Sequence, residues 1–345
     1  MDTTRRQIMA GLALAMSAPP VWAAPASPSA VRKPARIRPG DTIGLIEPAS
    51  ASDDAFDLTL VEEAIVAMGL KPKRAPHLLD RYGYLAGQDK DRAADINSMF
   101  ADKDVRAIFA VRGGWGCQRL LPFLDWDVIR ANPKLLLGFS DITALHMAIA
   151  AKGGFATLHG PNASSAWGKS SVDSFRAVAF DGATPLYENP VASEDRLVQR
   201  RWRTQILRGG KAQGRLLGGN LTVLSALAGT PYLPDFDGAI LFLEDIGEAE
   251  YRIDRMLTQL KQAGVMNNLA GVVFGQCTDC RAPDGSTSEF TLSSVLQQHL
   301  GSLGVPAYQG AWFGHIADQF TIPVGIRAEI DADAGTLRLL EAAVT

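Results

Sequence analysis

Ser140 lies in the stretch Leu135-Leu136-Leu137-Gly138-Phe139-Ser140-Asp141-Ile142-Thr143. The apolar run 135–137 predicts a buried strand that stops at Gly138, and the amphipathic run after Ser140 predicts a helix. A serine on a sharp strand-to-helix turn is lifted clear of the sheet, with the first backbone N–H groups of the new helix facing its hydroxyl. Such donors can hold an oxyanion, which makes the turn a candidate nucleophile site. The competing reading is a plain helix cap by Ser140 or Asp141.

An activated serine needs a base within hydrogen-bond reach and a third group to orient that base. The chain offers five histidines: His77, His146, His159, His299 and His315. His315, in Phe313-Gly314-His315-Ile316-Ala317-Asp318, lies in a glycine-containing loop before a strand, which suits a side chain reaching into a cleft. His159 precedes Gly160-Pro161 and ranks second, on the same expected strand edge. His146 follows Ser140 by six residues, about 600° of helical rotation, and so points away from the turn. His77 and His299 read as surface residues. Glu244 ends the apolar run Leu241-Phe242-Leu243; there it can orient an imidazole and stabilise its cation, or instead cap a turn or pair with Arg252 or Arg255.

Arg112-Gly113-Gly114 offers backbone amides that a bulkier residue would hide. It is the natural second oxyanion donor beside the N–H of Asp141. Gly-Gly after a strand also suits phosphate, but no G-x-G-x-x-G or G-K-[ST] loop follows. Gly168-Lys169-Ser170 lacks the upstream glycine of a P-loop, so no nucleotide cofactor is expected. Cys277 and Cys280 form a single C-x-x-C with Cys117 left over. That is a weak zinc signal, leaving ordinary thiols, a redox pair or an incidental disulfide, and no metal is expected.

These groups need a scaffold. Strands are expected at 41–46, 105–111 and 135–137, with helices at 55–68, 91–101, 117–124 and after Ser140. The alternation implies a parallel sheet covered on both faces, whose ligands bind beyond the carboxyl ends of the strands. Residues 162–200 lose this rhythm. The second half mixes strands at 207–217, 239–243 and 271–274 with helices at 221–228, 251–264 and 291–300. A hairpin over 321–341 turns at Asp333-Ala334-Gly335.

With 345 residues the chain has room for about two domains. A net charge of −3 argues against nucleic acid as a partner. The first 25 residues carry Arg5-Arg6, a weakly apolar stretch and small residues at Val21–Ala24. They resemble a twin-arginine export signal and predict a periplasmic protein. Beyond them no apolar run is long enough to span a membrane. Residues 26–36, rich in Pro, Ser and Ala, read as a flexible lead-in.

Taken in order and spacing, several segments resemble the LD-carboxypeptidase family of serine peptidases, which includes murein tetrapeptide carboxypeptidases and microcin C immunity peptidases. They are Asp41–Ser50, Arg112-Gly113-Gly114-Trp115-Gly116, Gly138–Thr143, Leu217–Leu221, Gly229-Thr230-Pro231, Leu241–Asp245 and Phe313-Gly314-His315. The resemblance implies a Rossmann- or flavodoxin-like N-terminal domain (37–165) carrying the nucleophile Ser140, a linker (166–201), and a swivelling-type β/α domain (202–345). That second domain would supply the acid Glu244 and the base His315. Gly114 and Asp141 match the oxyanion donors. Trp115 stands where tyrosine is common and keeps an aromatic beside the site. A homodimer is implied.

The implied reaction hydrolyses an L,D peptide bond and releases D-alanine from a murein tetrapeptide through an acyl-enzyme. The substrate ends in a carboxylate, so a cation should face it; Arg112 is the candidate, because a guanidinium pairs bidentately with a carboxylate. The alternatives are an amidase acting on peptide-nucleotide conjugates, an α/β-hydrolase esterase, and an exported two-domain binding protein without catalysis. The esterase is disfavoured because Gly138-Phe139-Ser140-Asp141-Ile142 lacks the second glycine of G-x-S-x-G.

Overall fold

In a computed structural model, the structure describes residues 31–52, 54–191, 197–199, 201–281 and 290–345. The expected export signal lies outside these residues. Short apolar runs separated by amphipathic helices build the first sheet: β1 (Thr42–Ile46), β2 (Lys71–Arg74), β3 (Val105–Ala110), β4 (Leu135–Gly138) and β5 (Thr157–His159). They pair in parallel in the order 2-1-3-4-5, which is flavodoxin-like. All four residues of β4 are buried, as a central parallel strand demands. Burying each large aliphatic side chain there contributes about 1.5–3 kcal/mol. The helix Asp89–Ala101 lies close over β1, where a Cβ on Gly44 would come 2.7 Å from the Met99 sulfur.

The second sheet follows, with β6 (Leu186–Tyr187), β7 (Gln205–Arg208), β8 (Lys211–Asn220), β9 (Ala239–Ile246), β10 (Gly271–Thr278) and β11 (Ala307–Gln309). Then come β12 (Ile322–Val324), β13 (Arg327–Asp331) and β14 (Thr336–Leu339). Its order is 6-14-13-8-9-10-11-7, with β8, β9, β10 and β11 parallel and the flanking pairs antiparallel. The two sheets make the expected mixed α/β architecture.

Four features differ from the sequence reading. The lead-in is docked from residue 31: Arg32 bridges to Phe155, Lys33 pairs with Glu341 at 2.8 Å, and Arg36 and Pro34 bond the backbone of Thr345. The segment 166–201 contains the helix Lys169–Ala179, whose Phe175 meets Phe109 of β3 edge-on at 5.5 Å, and it also contributes β6 to the second sheet. The strand expected at 207–217 breaks into β7 and β8 at Gly209-Gly210, where Gly210 has φ +116. Finally, β12 leaves the C-terminal half and pairs antiparallel with β5, so Ile322 lies opposite His159. Among the described residues, no helix is long and apolar enough to cross a membrane.

Candidate active site

Ser140 has φ +64, in the left-handed region that side chains other than glycine rarely adopt. It follows β4 after the single residue Phe139 and opens a 3-10 turn, Ser140–Ile142, that runs into the helix Thr143–Ala148. Holding a serine there costs of order 1–3 kcal/mol, which surrounding contacts must offset. Those contacts leave no space. A Cβ on Gly138 would come 2.9 Å from Asn162 Oδ1 and from Ile142, and one on Gly113 would come 2.9 Å from Ser140 Cβ. The Phe139 N–H donates to Asn162 Oδ1 at 3.1 Å, which pins the turn from outside the strand.

The glycine loop after β3 lies against this turn. Gly114 has φ +107, and a Cβ there would sit 2.2 Å from Ser50 Oγ. Ser50 shapes the loop: its N–H donates to Gly113 O at 3.3 Å and its hydroxyl accepts from Trp115 N–H at 3.1 Å. The Gly114 N–H has no acceptor among the described residues. The Asp141 carboxylate turns inward and accepts from Cys117 N–H at 2.7 Å. Its own N–H, at the start of a helical turn, is one of the donors that no helix satisfies.

Base and acid arrive from the second sheet. His315 Nε2 is 2.9 Å from Ser140 Oγ and His315 Nδ1 is 2.7 Å from Glu244 Oε2. With the serine hydroxyl donating to Nε2, Nδ1 carries the proton donated to the carboxylate. Glu244 is completely buried, and its other oxygen has no partner among the described residues. Burial works against a charge on His315. The hydrogen bond and charge of Glu244, with Asp245 adding to them, outweigh it and hold the imidazole above its ordinary value. The Asp245 carboxyl is itself pushed up to about 6 by burial and by the charge of Glu244. It accepts from Asn220 Nδ2 and from the Thr222 N–H and hydroxyl, which ties the end of β8 and the start of the helix after it to the acid. The end of β8 also grips the serine helix, as the Asn220 N–H donates to Thr143 Oγ1 at 2.9 Å. A Cβ on Gly219 would come 2.4 Å from the same oxygen.

Two cavities meet at Ser140. The larger, about 840 Å³, is lined by Arg112, Gly113, Phe139, Asn162, Ser164, His315 and the apolar face of Leu60, Val61 and Ala64. The smaller, about 350 Å³, is lined by Trp115, Arg119, Asp141, Asn220, Thr222 and Glu248. The structure therefore brings Ser140, Glu244, His315, Gly114 and Asp141 together and divides the two expected substrate contacts. Arg112 faces the larger cavity, with Nη1 donating to Ala51 O at 2.9 Å. Trp115 faces the smaller one, meeting Tyr84 edge-on at 5.3 Å with the Arg119 guanidinium over its ring.

The remaining histidines have other surroundings. His159 does not line the cleft. It is fully buried, with neither ring nitrogen partnered among the described residues, packed edge-on to Phe242 and Phe313 and held well below its ordinary value by burial. His146, expected to point away from the turn, instead bonds the backbone where β4 leads into it, its ring spanning Gly138 O and Thr157 Oγ1. His77 bonds Asp95 and His299 bonds Asp254. Cys277 and Cys280 form a disulfide, and Cys117 is buried and free. Among the described residues His77, Asp80 and Asp91 form the one grouping with metal-ligand spacing, and none of them lines either cavity at Ser140.

Sequence reasoning missed Ser50, Asn162 and Thr143, small polar residues whose roles exist only across long-range contacts. It also missed Glu47, beyond the end of β1, where burial lifts the carboxyl to about 7 against the hydrogen bond it accepts from the Ser52 hydroxyl.

The comparisons with known proteins agree with this architecture. The LD-carboxypeptidase N-terminal domain matches residues 43–160 and the C-terminal domain matches residues 213–330. A Streptomyces coelicolor relative, named only as a carboxypeptidase, is 40% identical over 313 residues, covering 89% of this chain and 96% of its own. The murein tetrapeptide carboxypeptidase of Pseudomonas aeruginosa is 34% identical over 299 residues, covering 84% and 93%. The solved structure of the microcin C7 self-immunity protein MccF in its apo state superposes with a TM-score of 0.81 at 26% identity, covering 91% of this chain and all of that one. The fold is that of a two-domain α/β peptidase. The chain belongs to the LD-carboxypeptidase family.

Proposed function

We propose that this protein is a serine carboxypeptidase that cleaves the L,D peptide bond of murein tetrapeptides and releases the C-terminal D-alanine. The observation that carries the reading is the continuous hydrogen-bonded line from Ser140 through His315 to Glu244, with the serine on a left-handed turn. His315 takes the hydroxyl proton as Ser140 attacks the scissile carbonyl. The N–H groups of Gly114 and Asp141 hold the developing oxyanion, each worth roughly 3–4 kcal/mol in comparable sites. His315 then protonates the departing amino group, and water releases the acyl-enzyme by the reverse sequence. Arg112 faces the free carboxylate of the substrate, and Trp115 flanks the smaller cavity. No step calls on a metal or cofactor.

Export by the twin-arginine-type signal, action in the periplasm and pairing as a homodimer belong to the same proposal. The Cys277–Cys280 disulfide favours an oxidising compartment. The structural likeness to MccF supports a second reading, an amidase on peptide-nucleotide conjugates. Incubation with murein tri-, tetra- and pentapeptides and with an aminoacyl-sulfamoyl nucleoside, read by mass, separates the two. Loss of one D-alanine from the tetrapeptide alone supports the first reading. Cleavage of the nucleoside conjugate alone supports the second.

A further inference from the structure

His315 sits in a loop with little regular structure of its own. The preceding Gly314 has φ +117, and a Cβ there would press on Glu244 at 2.9 Å. The position of the imidazole therefore depends on a few anchors, and these converge on the last residues of β10. The Gln276 N–H donates to Phe313 O at 2.9 Å, and Gln276 Nε2 donates to Gly310 O at 2.7 Å. Thr278 Oγ1 donates to the backbone carbonyl of His315 itself at 2.7 Å. The same short stretch holds the strand of the acid. Cys277 lies opposite Asp245 and Thr278 opposite Ile246, and the Gly247 N–H donates to Thr278 O at 2.8 Å.

Thr278 is thus bonded on one side to the strand that carries Glu244 and on the other to the residue that carries the imidazole. The strand ends at Thr278, and the next residue, Asp279, is a non-glycine residue at φ +56 in the turn. The Cys277–Cys280 disulfide closes the chain around that turn, with Thr278 inside the closed ring. A crosslink across three residues closes too short a loop to stabilise the whole fold much, since the benefit grows with loop length. Its effect here is local.

We infer that Thr278 is a positioning residue for the general base, and that the Cys277–Cys280 disulfide keeps its hydroxyl in place under His315. The inference rests on the serine-hydrolase reading above. The hydroxyl fixes the distance between the His315 backbone and the Glu244 strand, and so the reach of Nε2 to Ser140. Misplacing a reacting group by about 1 Å costs on the order of 100-fold in rate, so small displacements are readable.

The test compares wild-type protein with Thr278→Val, which keeps the shape without the hydroxyl, and Thr278→Ser, which keeps the hydroxyl. The readouts are the rate of covalent labelling by a fluorophosphonate and the kcat and KM for a murein tetrapeptide. Thr278→Val is expected to label and turn over about 10- to 100-fold more slowly with KM unchanged, while Thr278→Ser stays within about threefold of wild type. Should Thr278→Val fail to fold, the Cys277→Ala/Cys280→Ala pair carries the test, with slower labelling expected at unchanged KM. Wild-type protein that labels no faster than Thr278→Val overturns the inference alone, as does an equal loss in Thr278→Ser. Wild-type protein that does not label at all overturns the serine reading and this inference with it.

Discussion

His315 and Ser140 are separated by 175 residues of chain and stand 2.9 Å apart, the imidazole reaching from the loop that follows β11 to the turn that follows β4. No element of either half could make this contact alone. A second contact between the same two halves lies beside it, where the Asn220 N–H at the end of β8 donates to Thr143 Oγ1 of the serine helix at 2.9 Å.

The acid behind the base sets the pH profile. Glu244 is completely buried and bonds His315 Nδ1 at 2.7 Å. The base works only when neutral, so activity rises with pH through the His315 pKa. Since that pKa is raised, the acid limb of kcat/KM lies above the ordinary value of about 6.5. Glu244→Gln removes the charge but keeps the shape. It is expected to lower kcat by about 100- to 10,000-fold and to move the acid limb to lower pH. A pH–rate profile of both proteins checks this, and an unmoved limb would detach Glu244 from the base.

Gly114 tests the oxyanion site. A Cβ there meets Ser50 Oγ at 2.2 Å, and the φ of +107 suits glycine alone. Gly114→Ala is expected to rotate the N–H away and lower kcat by about 100- to 1,000-fold with little change in KM. Steady-state kinetics on a murein tetrapeptide supply the measurement.

Arg112 tests carboxylate recognition. Its side chain lines the larger cavity beside Ser140. Arg112→Ala is expected to raise KM for tetrapeptide by tenfold or more, the loss of one charged hydrogen-bonded contact being about 1.5–3 kcal/mol. The C-terminal amide of the same peptide should lose affinity for wild-type protein and show no further loss in the variant. An unchanged KM removes Arg112 from the binding site.

His159 predicts acid sensitivity. The ring is buried among Phe139, Phe242 and Phe313 without a partner for either nitrogen among the described residues, and burial holds its pKa well below normal. An unfolded histidine protonates near 6.5. The stability tied to the neutral ring is therefore present above about pH 6.5 and lost as pH falls toward the folded value, by up to about 1.4 kcal/mol per unit. His146, lowered to about 4 by burial, acts in the same direction. His159→Leu is expected to be near neutral at pH 7.5 and to flatten the loss of stability between pH 6.5 and 5. Urea unfolding at the two pH values checks it.

Much of the site was legible because its residues punctuate strong local patterns. Ser140 follows a four-residue buried strand, Glu244 interrupts the apolar run of β9 after residue 243, and the glycines at 113–114 and 138 mark places without room for a Cβ. What stayed hidden has non-local causes. Lys71–Arg74 forms an edge strand with mostly exposed side chains, so no apolar alternation announces it. β12 crosses to the other sheet through a pairing that its own three residues do not encode. The helix at 169–179 buries Ser171, Phe175, Val178 and Ala179 at helical spacing, but its polar start reads as a linker. His159 looked like a cleft residue at a strand edge until Phe242 and Phe313 of the second half covered it.

The most direct test is the mass of the intact protein after reaction with a fluorophosphonate, followed by peptide mapping. The account predicts one adduct per chain, on the peptide containing Ser140, absent in Ser140→Ala and slowed in Glu244→Gln. A folded wild-type protein that takes up no adduct, or takes it up on another residue at the same rate in Ser140→Ala, would contradict it.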